Sequence, residues 1–156
     1  MILVRPFEPG DISKIGGRAY EQELIRLTGD HGENFAAYGP AFTMLDDDKP
    51  VMAAGVYIPW PGIGEAWMHL SPWFYSHVKT AYRETREILH SIIVNKKLRR
   101  VQCPIHAGME KNMNFVEHLG FTIEGIMHRW GPEGADYLMY AVVARDGEEV
   151  VCLPRR

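Results

Sequence analysis

No stretch of this sequence holds the roughly 20 consecutive apolar residues that a bilayer-spanning helix requires, which argues against a helical membrane span. The opening residues, Met1-Ile2-Leu3-Val4-Arg5-Pro6, lack the charged start and apolar length of an export signal, and a cytoplasmic location is expected. Cysteine is scarce. Cys103 and Cys152 form no C-x-x-C pair and no disulfide framework, so both are expected as reduced thiols. Histidine is more abundant, but no His-x-x-x-His spacing and no neighbouring cysteine accompany it, and no metal site is expected. Glycine is absent between Gly64 and Gly108, so that interval carries no glycine-rich phosphate loop. Repeats, low-complexity tracts and linkers are missing too, and residues 1–156 read as a single domain.

What is present fits an ordinary soluble domain: 46% of the residues are apolar and 24% charged, enough to build one core. Charge is uneven. Eight Lys/Arg face three Glu between Lys79 and Lys111, a local +5 in a chain of net charge −3. A basic middle on an acidic chain suggests a local anion site or a solvated helix face. No aromatics are interleaved for base stacking, which counts against nucleic acid.

The pattern predicts strands over residues 2–5, 41–45, 51–58, 65–70, 99–105, 121–130 and 135–144, with a further tail strand near 150–153. Asp11 is expected to cap a short helix bearing Ile12 and Ile15. A second helix over 18–28 would bury Tyr20, Leu24 and Leu27, and residues 30–40 read as a loop. The acidic turn Asp46-Asp47-Asp48-Lys49-Pro50 predicts a hairpin. Ser71 as cap and Pro72 at the first helical position open a long helix to about Asn95. Its stripe holds Phe74, Val78, Ala81, Tyr82, Ile88, Leu89, Ile92 and Ile93. A last helix is predicted over 110–118. A long helix between the fourth and fifth strands implies a crossover joining parallel neighbours within a mixed, mostly antiparallel sheet of about six or seven strands, with helices on both faces, an α/β (α+β mixed-sheet) class.

That order resembles the GNAT superfamily of N-acyltransferases. The segments carrying the likeness are Val4-Arg5-Pro6-Phe7-Glu8-Pro9-Gly10-Asp11, the helix ending Glu117-His118-Leu119-Gly120-Phe121, and the hairpin built from residues 121–125 and 134–140. The run from Glu65 to Phe121 is also similar to a GNAT-like group encoded by tailed bacteriophages. It shares a Trp67-x-x-x-Ser71 strand end, a long Arg-containing helix and the late Leu-Gly-Phe; some of that group are internal virion or morphogenesis proteins.

The resemblance implies that acyl-CoA, typically acetyl-CoA, lies where the fourth and fifth strands splay apart near Ser71, with its pyrophosphate on backbone amides after Ser71-Pro72. Those amides belong to Trp73, Phe74 and their successors to His77, although three aromatics crowd the turn and the family's glycine loop is absent. Lys79 and Arg83, with Arg86 on the same helix face, could meet a phosphate of CoA or an acidic partner. On the late helix, Met109 and Val116 stand where the family often has a CoA-contacting Asn and an acidic Tyr. A one-turn slip would bring Asn112 near the cofactor, and Tyr140 or Tyr137 could supply a phenol. As base, the resemblance offers His69 and His106 near the ends of the two parallel strands, with Glu65 and Glu124 as carboxylate alternatives. Two functions stay open at this point. One is acyl transfer to an amine of a protein or small molecule. The other is an inactive GNAT-like scaffold that contacts phage or host proteins, in a host cytoplasm or a virion.

Overall fold

A computed structural model describes residues 1–155. The elements, in chain order, are β1 (Ile2–Pro6), α1 (Asp11–Ile15), α2 (Ala19–Thr28), α3 (Gly32–Ala37), β2 (Ala41–Asp46), β3 (Lys49–Trp60) and β4 (Ile63–Leu70). After them come α4 (Trp73–Ser76), α5 (Val78–Lys96), β5 (Arg100–His106), α6 (Glu110–His118), β6 (Thr122–Met127) and β7 (Tyr137–Val143). The strands form a seven-stranded mixed sheet in the order β1-β2-β3-β4-β5-β7-β6. The chain clusters into two compact units, Met1–Tyr57 with Ala66–Thr85, and Ile58–Glu65 with the chain from Arg86 onward.

In the first unit, β1 and β2 run antiparallel from Ile2↔Asp46 to Pro6↔Phe42. The expected acidic hairpin turn is there: Asp47 and Asp48 take φ of 46° and 65°, a left-handed pair that Asp tolerates and that suits a tight hairpin. Met44, Leu45, Val51, Met52, Ala53 and Val56 supply the core of this unit from β2 and β3.

Asp11 does not cap α1 in the expected way. Gly10 holds the cap position, and the Asp11 carboxylate turns back to accept the Glu8 N–H at 2.9 Å. It also accepts Arg5 Nη2 at 2.7 Å and the Thr43 hydroxyl at 2.6 Å, so one buried acid ties β1, α1 and β2 together. Burial alone would raise its pKa; the Arg5 hydrogen bond first, then Thr43 and Glu8, overcome that and hold it at about 2. The folded value lies below the unfolded one, so the stabilisation is complete above the unfolded pKa and is lost as pH falls through about 2. It amounts to roughly 2–3 kcal/mol. Acid titration of unfolding should show this loss below about pH 5, and an Asp11→Asn chain, unfolded in parallel, should lack that slope.

Three expectations about helices change. Residues 30–40 are not all loop, because Asp30 Oδ1 accepts the Gly32 N–H at 2.7 Å and starts α3. In α2 the buried residue is Glu21, Tyr20 and Leu24 are half-buried and Leu27 is exposed, so the predicted apolar face is only partly covered and a buried charge shares in seating this helix. The long helix is broken at His77, whose φ and ψ of −128° and 27° are not helical. Its Nδ1 lies 2.9 Å from the Trp73 carbonyl and its ring stacks on Trp73 at 4.2 Å, which closes α4 after one turn. Pro72, not Ser71, holds the cap position of α4; the Ser71 carbonyl accepts the Phe74 N–H at 3.1 Å, and its hydroxyl takes no part.

In the second unit, β4 and β5 pair in parallel at Ile63↔Arg100, Gly64↔Val101 and Glu65↔Gln102. The ladder stops there, before either strand ends, as the predicted splay requires. β5 continues antiparallel to β7 from Arg100↔Val143 to His106↔Tyr137, and β6 closes a hairpin with β7. Leu98, Val101, Phe115, Val116, Leu119, Phe121 and Tyr140 form the core here. The predicted tail strand is absent. Arg86 instead takes the Pro154 carbonyl at 2.7 Å, and the Val151 N–H donates to the Leu98 carbonyl, so Val151 and Leu153 are buried without a strand partner.

Candidate functional site

His69 sits one residue before the end of β4 and is 7% exposed. Among the described residues nothing hydrogen-bonds its Nε2, nor the buried Ser71 hydroxyl. Gly17, at φ 60°, lies against the ring: a Cβ there would stand 3.4 Å from Nε2 and 2.9 Å from the Glu21 Cβ. Next to it the buried Arg18 and Glu21 form a side-chain pair, with Nε to Oε2 at 2.9 Å, while the Arg18 N–H donates to the same carboxylate at 3.1 Å. The Arg18 guanidinium lies 5.7 Å from the centre of the Phe74 ring and 5.6 Å from that of Tyr75. Burial works against the Arg18 charge, but Glu21 more than compensates and holds the guanidinium above its usual pKa.

Burial is also the main influence on His69 and pushes its pKa below the ordinary imidazole value. Glu21 and Asp30 oppose this, and Arg18 adds to it. The ring is therefore neutral near pH 7, with an unpartnered polar atom. That is an uncommon state for a buried histidine, and one suited to taking a proton from a ligand.

The other predicted residues of this unit are mostly occupied. Trp73 Nε1 donates to Asp46 Oδ2 at 2.8 Å, Phe74 is buried beneath Arg18, and His77 stacks on Trp73. Lys79 is exposed, and Arg83 pairs with its neighbour Glu84 at 2.9 Å.

In the second unit, His106 accepts the Gly108 N–H on Nδ1 at 2.9 Å, which places its proton on Nε2, 3.5 Å from Glu133. Tyr137 meets the His106 ring edge-on at 5.2 Å. Glu65 Oε2 accepts the Gln102 amide at 3.3 Å, and Gln102 Oε1 in turn accepts Arg100 Nε at 2.9 Å. Arg100 also pairs with Glu124, whose pKa this hydrogen bond lowers. Tyr140 donates its phenol to Glu117 at 2.8 Å; burial first, then Glu117, push it up to about 12. Burial, with a smaller push from Glu65, takes the Cys103 thiol up to about 12, which leaves it inert. Asn112 lies in the first turn of α6, its N–H on the Met109 carbonyl.

His69, Ser71 and Phe74 thus gather in one cluster, whereas Glu65, His106, Asn112 and Tyr140 belong to the other unit. The sequence reading missed Gly17, Arg18 and Glu21. The available signal was Arg18-x-x-Glu21 directly after a Gly-Gly pair, a spacing that lets the fourth residue reach back to the cap. Among the described residues no cluster of His, Cys, Asp and Glu could hold a metal ion, and no helix is long and apolar enough to cross a membrane.

No protein-family model matches the sequence, and no curated protein matches it. Solved structures do. A GNAT-family acetyltransferase from Streptococcus pneumoniae superposes with a TM-score of 0.71 at 14% identity, over 92% of this chain and 99% of the other. The ribosomal-protein-S5-alanine acetyltransferase of Vibrio fischeri gives 0.67 at 17% identity, over 94% and 95%. A ribosomal L7/L12 α-N-protein acetyltransferase in complex with coenzyme A gives 0.70 at 12% identity, over 92% and 94%. With its seven-stranded mixed sheet and the parallel β4–β5 pair, the chain has the fold of the GNAT acetyltransferases.

Proposed function

We propose that the protein is an acyl-CoA-dependent N-acyltransferase, using acetyl-CoA to acylate an amine of a small molecule or protein. The observation that carries this reading is His69, a neutral, buried imidazole at the end of β4 whose Nε2 has no partner among the described residues. In the proposed reaction His69 Nε2 takes a proton from the acceptor ammonium. The freed nitrogen lone pair attacks the thioester carbonyl, a C–N bond forms, the C–S bond breaks, and the departing thiolate takes up the second proton that the nitrogen sheds as it becomes an amide.

Of the other candidates, His106 is set up to orient Glu133, since one nitrogen accepts a backbone N–H and the other carries the proton. A Tyr140 phenol raised to about 12 is a weaker acid than a thiol of ordinary pKa near 8.5, so it is a poor donor to the departing thiolate. Ser71, Lys79 and Arg83 are proposed as contacts for the cosubstrate, together with the Trp73 amide; the expected Phe74 and His77 amides are instead spent on the Ser71 and Phe74 carbonyls at α4. The missing glycine loop, and Met109 and buried Val116 on the late helix, are the features that set this chain apart from the family pattern.

A second reading draws on the exposed Trp60 and Trp130, 60% and 53% accessible, since exposed aromatics concentrate at binding hot spots. In it the chain is a phage-encoded GNAT-like scaffold that binds virion or host proteins and has lost acyl transfer.

Thermal unfolding with acetyl-CoA separates the two. At about 100 times Kd a specific ligand adds about 2.7 kcal/mol, which for a chain of this size raises Tm by roughly 5–11 °C. That shift, with thiol release when amines are added, is the expected result. No shift at millimolar acetyl-CoA would count against the enzyme and leave the scaffold.

A further inference from the structure

We infer that Gly17 is a positioning residue for the proposed base: having no side chain, it lets the first turn of α2 close against the His69 ring, which fixes the imidazole and keeps water off Nε2. This rests on the acyltransferase reading above. The Gly16-Gly17 turn is tied down on both sides. The Arg18 N–H donates to the Leu70 carbonyl at 3.0 Å, which pins the start of α2 to the residue after His69. Gln22 Nε2 donates to the Gly16 carbonyl at 3.0 Å and to the Gly17 carbonyl at 3.2 Å, so the turn is held from the helix as well. Between those ties, a Cβ on Gly17 would meet the Glu21 Cβ at 2.9 Å, His69 Nε2 at 3.4 Å and His69 Cε1 at 3.5 Å.

The Glu21 contact decides the matter. It is too short for two carbons, and a Cβ next to the backbone cannot swing aside, so any larger residue at 17 pushes the first turn of α2 off the ring. Gly16 supplies the contrast. Its φ of 77° is left-handed like the 60° of Gly17, yet a Cβ there would meet nothing within 4 Å. Both positions ask for the backbone freedom of glycine, but only Gly17 asks for its small size. The effect reaches His69 because the ring is buried and its Nε2 is closed off without a partner among the described residues. Burial is also the chief cause of its lowered pKa, with Arg18 adding to it and Glu21 and Asp30 opposing. A base held dry and oriented in this way needs little rearrangement when an acceptor reaches it.

The test follows the His69 ring by NMR through a pH titration of the full chain, in the wild type, Gly16→Ala and Gly17→Ala. The wild type and Gly16→Ala should titrate alike, below the ordinary imidazole value, and Gly17→Ala should titrate higher because the displaced turn admits water. Acyl transfer should fall about tenfold in kcat/KM in Gly17→Ala and not in Gly16→Ala, with acetyl-CoA still raising Tm in both. An unchanged His69 titration in a folded Gly17→Ala chain would overturn the inference, whatever its Tm. If no amine is acylated by the wild type, the acyltransferase reading fails separately and the ring titration still decides the role of Gly17. Gly17→Asn carries the same Cβ and tolerates a left-handed φ, so it takes the place of an alanine chain that does not fold. Loss of the fold in both Gly17 chains but in neither Gly16→Ala nor Gly16→Asn would also overturn the inference, by making Gly17 a requirement of folding alone.

Discussion

On the acyltransferase reading proposed above, replacing His69 by glutamine should lower acyl transfer by about 100-fold, the usual contribution of a positioned general base, while acetyl-CoA should still raise Tm. Glutamine nearly matches imidazole in volume and can hydrogen-bond, but it cannot take a proton at neutral pH. The pH profile gives the sharper readout. Burial keeps His69 unprotonated below the ordinary imidazole value, so wild-type kcat/KM should rise with pH through an inflection lower than about 6.5 and then level off. The glutamine chain should lose that inflection. The same depressed pKa makes His69 a liability in acid, because the unfolded chain binds its proton first and stability falls as pH drops below about 6.5. Unchanged turnover in His69→Gln would remove this residue from the mechanism. His106→Ala makes a useful contrast, with a much smaller loss expected because its nitrogens are committed to Gly108 and Glu133.

The second large effect is on stability. Glu21→Ala strands the buried Arg18 guanidinium without its carboxylate, which by comparison with other buried pairs costs about 3–5 kcal/mol. For a chain of this length that lowers Tm by roughly 6–20 °C. Removing both charges together, as Arg18→Met with Glu21→Leu, should recover most of the loss, since a well-packed apolar pair often matches a buried ion pair. A double chain as unstable as Glu21→Ala would show that the damage comes from lost helix capping, because Glu21 also accepts the Arg18 N–H. Thermal melts of the three chains suffice.

Much of the architecture was legible. Of the predicted stripe, Phe74, Ala81, Leu89, Ile92 and Ile93 are buried whereas Val78 is exposed, and Asp46–Pro50 reads correctly as a hairpin turn. Strong periodicity and turn chemistry are local, so a sequence displays them directly. The break at His77 was not legible, because neither Gly nor Pro marks it and a stacked Trp73–His77 pair creates it. Nor was α3, a short helix started by one aspartate within a run of turn residues. The site was half legible. His69 stands out as a histidine at a strand end, whereas Arg18 and Glu21 look like surface charge until the fold buries them side by side. Burial of that kind depends on what packs above a residue, which no spacing rule records.

The seating of α2 by Glu21 also bears on how this part of the chain responds to heat. Apolar contacts lose strength on cooling, whereas the penalty for dehydrating a carboxylate and a guanidinium shrinks on warming. Both charges belong to the N-terminal turn of α2 itself, so the buried pair gives that turn a thermal response of its own. Relative to the oily strands of β2 and β3, the turn should hold more firmly as temperature climbs and should be the looser element in the cold, where amide exchange along Ala19–Thr28 would reveal it.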